Sequence, residues 1–207
     1  MKKKIVLLGD GAVGKTSLVR RYVEKKFDDD YIATIGVNVK KKVIKELNLS
    51  LSIWDIYGQR SISPGLHSKH YRGADGAFIV FDFSRKKTFD HLNRWIQEMF
   101  EITGEIPLYI LGNKYDLIKE FRGDVGKQVS DLDEEFHRYM VENHYIKSFY
   151  SKEPSFIPVH KKDIVEFGDK WSEKIGSLFG YLSTSAKTGL NVEKAFHSLG
   201  KKIIMEI

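Results

Sequence analysis

Short apolar runs bounded by Gly, Asp and Asn alternate along the chain with segments whose apolar residues recur every three or four positions. Strand and helix periods in alternation predict a mostly parallel sheet with helices on both faces. Strands are expected at residues 4–9, 37–46, 49–55, 76–83, 108–113 and 179–183. The second and third are too close in sequence for a helical crossover, so they should pair as an antiparallel hairpin turning near Leu47-Asn48. Helices are expected at residues 15–24, 88–102, 131–143 and 192–204. In the last, Val192, Ala195, Phe196, Leu199 and Ile203 share one face, and Asn191 stands where an N-cap is needed. Ile164, Phe167, Trp171, Ile175 and Leu178 recur at helical spacing too, which predicts an amphipathic helix starting near Asp163.

Composition narrows the class. A chain of 207 residues that is 42% hydrophobic and 30% charged fits one folded domain, residues 1–207, with a sizeable core. No apolar run approaches membrane-spanning length, and the N-terminus runs straight into a strand with no secretory pattern. Cys is absent, which excludes disulfides, thiolate metal sites, palmitoylation and prenylation in this chain. Residue 2 is Lys, which excludes myristoylation. A cytoplasmic location is the simplest expectation, with membrane association at most peripheral or partner-mediated. The net charge of +6 comes partly from the Lys runs at 2–4 and 40–42. Such runs attract nucleic acid or anionic lipid, or simply solvate strand ends against edge pairing. The basic and aromatic pattern of a nucleic-acid-binding module is missing, so no nucleic-acid partner is expected.

The first strand leads into Gly9-Asp10-Gly11-Ala12-Val13-Gly14-Lys15-Thr16, a complete G-x-x-x-x-G-K-[ST] ahead of a helix. Glycines let the backbone of Gly11, Ala12, Val13 and Gly14 curl into a ring of N–H donors around phosphate oxygens. The helix behind presents its positive end to the same anion. Lys15 should reach the β- and γ-phosphates and Thr16 should ligate Mg²⁺. This motif alone leaves kinases, ATPases and GTPases open.

The base is chosen elsewhere. The strand at 108–113 ends in Asn113-Lys114-Tyr115-Asp116. A buried Asp116 carboxylate would accept from the N1–H and N2 amino group of guanine, whereas adenine would leave it unpaired at a high desolvation cost. After the next strand comes Ser185-Ala186-Lys187, where the Ala186 amide can donate to guanine O6. Both motifs sit at strand carboxyl ends and converge on one crevice.

With these residues in view, the chain resembles a Ras-superfamily small GTPase, nearest the Rab and Rho branches. Gly9 to Thr16 reads like a Rho-type phosphate loop. Tyr31-Ile32-Ala33-Thr34-Ile35-Gly36 is similar to the Rab first switch, Trp54-Asp55-Ile56-Tyr57-Gly58-Gln59 to the D-x-x-G-Q second switch, and Tyr71-Arg72-Gly73-Ala74-Asp75-Gly76 to a further Rab pattern. The resemblance implies a three-layer phosphate-loop GTPase fold with a six-stranded, mostly parallel sheet holding one antiparallel strand. It implies a switch that binds GTP and GDP with Mg²⁺ and hydrolyses GTP. Thr34 would join Thr16 at the metal when a γ-phosphate is present, and Asp55 would hold the metal through water. The Gly58 amide would meet the γ-phosphate, Gln59 would position the attacking water, and Lys15 and Thr34 would share the catalytic work. Phe27 would stack on guanine, and Ser17 and Tyr31 complete the expected nucleotide contacts. Effectors, exchange factors and GTPase-activating proteins are the implied partners.

Three features depart from the family pattern. Ile56-Tyr57 stands where relatives carry Thr-Ala, so Tyr57 could crowd the γ-phosphate and slow hydrolysis, or turn the chain into a nucleotide-dependent scaffold with little turnover. Pro64-Gly65 disfavours the helix relatives form there. Ser185 follows Asn113 by 72 residues (185 − 113), more than twice the family distance. Gln128-Val129-Ser130 resembles the start of the usual fourth helix, which puts the added segment at about 145–177. Beyond that helix, it would lie away from the nucleotide; ahead of it, on the nucleotide side.

Overall fold

The computed structural model describes residues 1–27, 36–58, 68–117 and 159–205. Six strands, β1 (Lys2–Leu8), β2 (Val37–Ile44), β3 (Leu49–Ile56), β4 (Gly76–Asp82), β5 (Leu108–Asn113) and β6 (Phe179–Ser183), form one sheet in the order β2-β3-β1-β4-β5-β6. The pair β2 and β3 is antiparallel and every other pairing is parallel. Their hairpin turns through a 3₁₀ segment, Lys45–Leu47, and a left-handed Asn48 with φ 48°.

The described helices are α1 (Lys15–Glu24), α2 (Ser68–Tyr71), α3 (Lys86–Asp90), α4 (Leu92–Thr103), α5 (Lys161–Ile175) and α6 (Val192–Met205). Period-two alternation sorts the strand residues between two apolar layers. Ile5 and Leu7 pack with α1 and α6, where Tyr22 stacks on Phe196 with ring centres 3.8 Å apart. Val6 and Leu8 pack with α3, α4 and α5. All seven residues of β4 are buried, as expected of a central strand covered on both faces. This is the three-layer, mostly parallel arrangement that the pattern predicted.

Four differences are informative. β1 begins at Lys2, because Asp75 accepts from both the Lys3 ammonium (2.8 Å) and the Lys4 amide (2.7 Å) and draws the Lys run into the sheet. The helix expected at 88–102 is two helices that meet at His91. Asn191 precedes α6 but does not cap it with its side chain. Its backbone is left-handed (φ 55°), and its Nδ2 donates to the Ser183 carbonyl at 2.8 Å. Finally, α5 runs through a 3₁₀ turn, Gly176–Leu178, straight into β6 and so serves as the crossover helix between β5 and β6. Its Phe167 ring lies 5.4 Å from Phe89, and Trp171 Nε1 donates to Asn93 Oδ1 at 3.0 Å, which seats it on the domain's own flank.

The helix expected at 131–143 lies outside the described residues. Both ends of the connection across 118–158 stand at the carboxyl end of the sheet. Leu117 closes a turn on Lys114, and the Val159 amide donates to the Phe83 carbonyl just past β4. The course of residues 118–158 between those ends, and with it the expected place of the added segment, lies outside the described residues.

Candidate functional site

The loops that follow β1, β3, β4, β5 and β6 gather at one edge of the sheet, where a doubly wound fold presents backbone groups to ligands. The first half of the site is the loop after β1. Gly9 (φ 131°), Ala12 (φ 60°) and Gly14 (φ 95°) all have positive φ. A Cβ on Gly9 would sit 2.2 Å from the Val80 carbonyl oxygen, and one on Gly14 2.2 Å from Asn113 Nδ2. Both positions therefore need glycine for space as well as conformation.

Lys15 is buried at the start of α1 and donates to the Gly9 and Asp10 carbonyls, each at 2.8 Å. Burial pulls its pKa down to about 8, against the opposing pull of Asp55 and Asp10. The Thr16 hydroxyl donates to Asp55 Oδ2 at 2.5 Å, with Ser17 half-buried behind it in the first turn. Asp55 Oδ1 is buried with no hydrogen-bond partner among the described residues. Burial pushes the Asp55 carboxyl up, opposed by the Thr16 bond and by Lys15. Gly58 closes over the loop: a Cβ there would lie 2.5 Å from both the Asp10 carbonyl oxygen and Lys15 Nζ. The Tyr57 amide donates to the Gly36 carbonyl (3.2 Å), tying the two segments expected to be switches together at their inner ends.

The second half is built from three segments. Asn113 is buried at the end of β5, donates through Nδ2 to the Val13 carbonyl (2.9 Å) and accepts the Ala186 amide on Oδ1 (3.1 Å). It fastens the phosphate loop to the segment after β6. The Ala186 amide, expected to face guanine O6, is thus held on Asn113. Ser185 accepts from the Thr188 amide (3.1 Å) and shapes that segment's turn. Lys114 is left-handed (φ 62°) and turns its ammonium onto Asp82 Oδ2 at 2.7 Å. Asp116 is 9% exposed, and its Oδ1 is buried without a hydrogen-bond partner among the described residues. Phe27 is half-buried, its ring 5.8 Å from the Arg21 guanidinium carbon. Tyr31, Thr34 and Gln59 lie outside the described residues, as does Pro64-Gly65.

Several residues that sequence reading passed over hold these halves in place. Asp82, fully buried at the end of β4, accepts from the Ser84 amide and hydroxyl on one oxygen and pairs with Arg85 and Lys114 on the other. Burial alone would raise its pKa, but Lys114 and Arg85 outweigh that and hold the carboxyl well below the usual range. Arg85 also donates to the Gly11 carbonyl (3.0 Å), so one carboxylate joins the phosphate loop to the base loop. The strand-end position of Asp82, with Ser84 and Arg85 just beyond, was a readable signal. Asp10 is gripped by Trp95 Nε1 (2.8 Å) and His91 Nδ1 (2.6 Å), which no local pattern announces.

The Ras family model matches residues 4–205, nearly the whole chain. The chain belongs to the Ras family. Among its relatives, the GTP-binding protein yptV5 of Volvox carteri and YPTC5 of Chlamydomonas reinhardtii are each 34% identical over 93% of this chain and 78% of their own length. Ras-related protein Rab-21 of Homo sapiens is 43% identical over 56% of this chain and 53% of its own length. Within the Ras superfamily the chain is a Rab-like small GTPase, a GTP-binding switch. Among the described residues, no helix is long and apolar enough to cross a membrane.

Proposed function

We propose that this small GTPase binds GTP and GDP together with Mg²⁺, hydrolyses GTP slowly, and uses its switch loops to recruit effectors in the GTP state. The observation that carries the base assignment is Asp116, a nearly buried carboxylate with one unpartnered oxygen at the base end of the crevice. Guanine offers two donors, N1–H and the N2 amino group, to such a group, and adenine offers neither at those positions. The Ala186 amide, already on Asn113, would be shared with guanine O6 as a three-centre donor. Phe27 would cover the face of the base.

The donor set fits Mg²⁺. Thr16 and Asp55 are hard oxygen donors in contact with one another, and the orphaned Asp55 oxygen calls for a partner. No group of three His, Cys, Asp or Glu that could hold a metal occurs among the described residues, so the ion would depend on phosphate oxygens for much of its shell, as Mg²⁺ commonly does. Its chemistry there would be neutralisation of phosphate charge. Lys15 would turn from the loop carbonyls to the phosphates, Thr34 would join on the GTP side, and Gln59 would orient the attacking water. Exchange factors, activating proteins and effectors would read the segments around Thr34 and Gln59.

Mass spectrometry of nucleotide released from the purified protein is the direct test. Bound GDP or GTP is expected, with guanine preference lost in Asp116→Asn; bound adenine nucleotide would overturn the reading. Tyr57 favours a second reading, a scaffold that turns over little. Single-turnover hydrolysis separates the two: a rate unchanged by Gln59→Ala supports the scaffold, and a rate lowered by it supports the enzyme.

A further inference from the structure

Helix α1 does more than present Lys15 and Thr16 to phosphate. In its last turn, Arg21 points away from the phosphate loop and toward the segment after β6. Its Nε donates to the Ala186 carbonyl (2.7 Å) and its Nη2 to the Lys187 carbonyl (2.5 Å), so the forked edge of the guanidinium spans two successive peptide oxygens. The third nitrogen, Nη1, reaches the Lys25 carbonyl at 3.5 Å, where the helix ends. Phe27 lies 5.8 Å from the guanidinium carbon, on the same side. From the other side, Asn113 Oδ1 holds the Ala186 amide. The segment is thus clamped across its backbone, with Asn113 on the N–H and Arg21 on the two carbonyls.

We propose that Arg21 is a positioning residue for guanine recognition. It holds the segment 185–187 so that its amide edge meets position 6 of the base, and it ties that edge to the helix carrying the phosphate contacts. This rests on the guanine reading above. The argument from chemistry is that the planar guanidinium aims two N–H donors from two nitrogens at the two carbonyls in fixed, parallel directions. A lysine at this position would carry a single nitrogen on a flexible stem, so it would not fix the segment as the fork does. Because α1 is a single helix from Lys15 to Arg21, at ~1.5 Å rise per residue the phosphate and base contacts are separated by a rigid span of roughly 9 Å. Losing the clamp frees the base edge while leaving the phosphate loop intact.

The experiment uses the full chain and competition binding of GDP, 6-thio-GDP and IDP against a fluorescent GDP. The thio analogue weakens the acceptor at position 6, and inosine lacks the N2 amino group that Asp116 reads. In the parent, GDP should outbind both analogues. In Arg21→Ala, GDP affinity should fall on the order of tenfold to a hundredfold. The preference over 6-thio-GDP should shrink by a similar factor, while the preference over IDP stays unchanged. Arg21→Lys and Arg21→Gln, each with one donor nitrogen in place of two, should fall between Arg21→Ala and the parent, short of full rescue. Should the alanine variant not fold, the Lys and Gln variants carry the same test. Equal loss for all three ligands, or full rescue by Lys, would overturn the proposal and leave Arg21 as a helix-end residue. If the parent shows no preference for GDP over IDP, or Asp116→Asn leaves that preference intact, the guanine reading itself fails, whatever Arg21 does.

Discussion

The half of the crevice proposed to hold phosphate and the half proposed to hold the base are built on opposite principles. The phosphate half comes mainly from one continuous stretch, Gly9 to Thr16, whose geometry is enforced by lack of space: the Cβ positions of Gly9, Gly14 and Gly58 are already filled by other atoms. The base half is assembled from three places distant in sequence, Arg21, the tetrad Asn113 to Asp116, and Ala186. It is held by side chains reaching backbone groups across 73 residues (Asn113 to Ala186) and 165 residues (Arg21 to Ala186). Steric enforcement fails abruptly, whereas a network of hydrogen bonds fails piece by piece. The two halves should therefore respond differently to substitution.

Asp116→Asn should sharpen this contrast most. An amide offers a donor where the carboxylate accepted, so the preference for guanosine over xanthosine nucleotides should shift by on the order of 10⁴-fold, read by competition binding. Phosphate binding should persist. Asp82→Ala attacks the joint between the halves. Removing one member of a buried, multiply bonded ion pair costs about 3 kcal/mol, measurable by denaturant unfolding, and both base and phosphate affinity should drop. The pH dependence has a definite sign. Asp82 has a folded pKa below its ordinary 3.8, so its stabilising contribution is complete above that value and is lost as pH falls toward the folded one. The gap between parent and Asp82→Asn should accordingly be constant near neutrality and narrow only in acid.

Gly58→Ala strikes the phosphate half alone. The new methyl meets the Asp10 carbonyl and Lys15 Nζ, and a displacement of about 1 Å is worth on the order of 100-fold in rate. Single-turnover hydrolysis should fall while guanine selectivity is untouched. Lys25→Ala is the smallest. Lys25 pairs with Glu193 between exposed side chains, a contact worth less than about 1 kcal/mol, and thermal melting should barely move.

Legibility followed the same division. The period of the apolar residues gave β5, β6 and α1 their observed limits, because local pattern and burial agree there. Residues 88–102 read as one helix because the bend at His91 answers to Asp10, a residue 81 positions away. The turns of the loop after β1 were legible in its glycines, since Gly9 and Gly14 take positive φ within one contiguous stretch. Asp116 stood in a motif that marked it as a candidate, whereas nothing marked Arg21. Nothing near Arg21 in sequence distinguishes it from its neighbour Arg20, and only the fold brings the Ala186 and Lys187 carbonyls to it. Asp82 lay between these cases, with its partner Ser84 close by and its partner Lys114 supplied by the next strand.

The margin of the sheet at β2 has a consequence for the molecule among its own copies. Val39 and Val43 stand 44% and 58% exposed on that strand, with Lys41 between them and Lys40 and Lys42 on either side. Among the described residues no strand pairs with the outer edge of β2, and such an edge bearing valines would otherwise invite a second molecule to add its own strand. Lys40 pairs with Glu24 (3.1 Å), so two such margins brought together would set chiefly Lys41 against Lys41, a repulsion that acts over roughly 8 Å at physiological ionic strength and about 3 Å at 1 M salt. Self-association of the protein should therefore rise as salt screens that charge, and dilute buffer should favour the monomer.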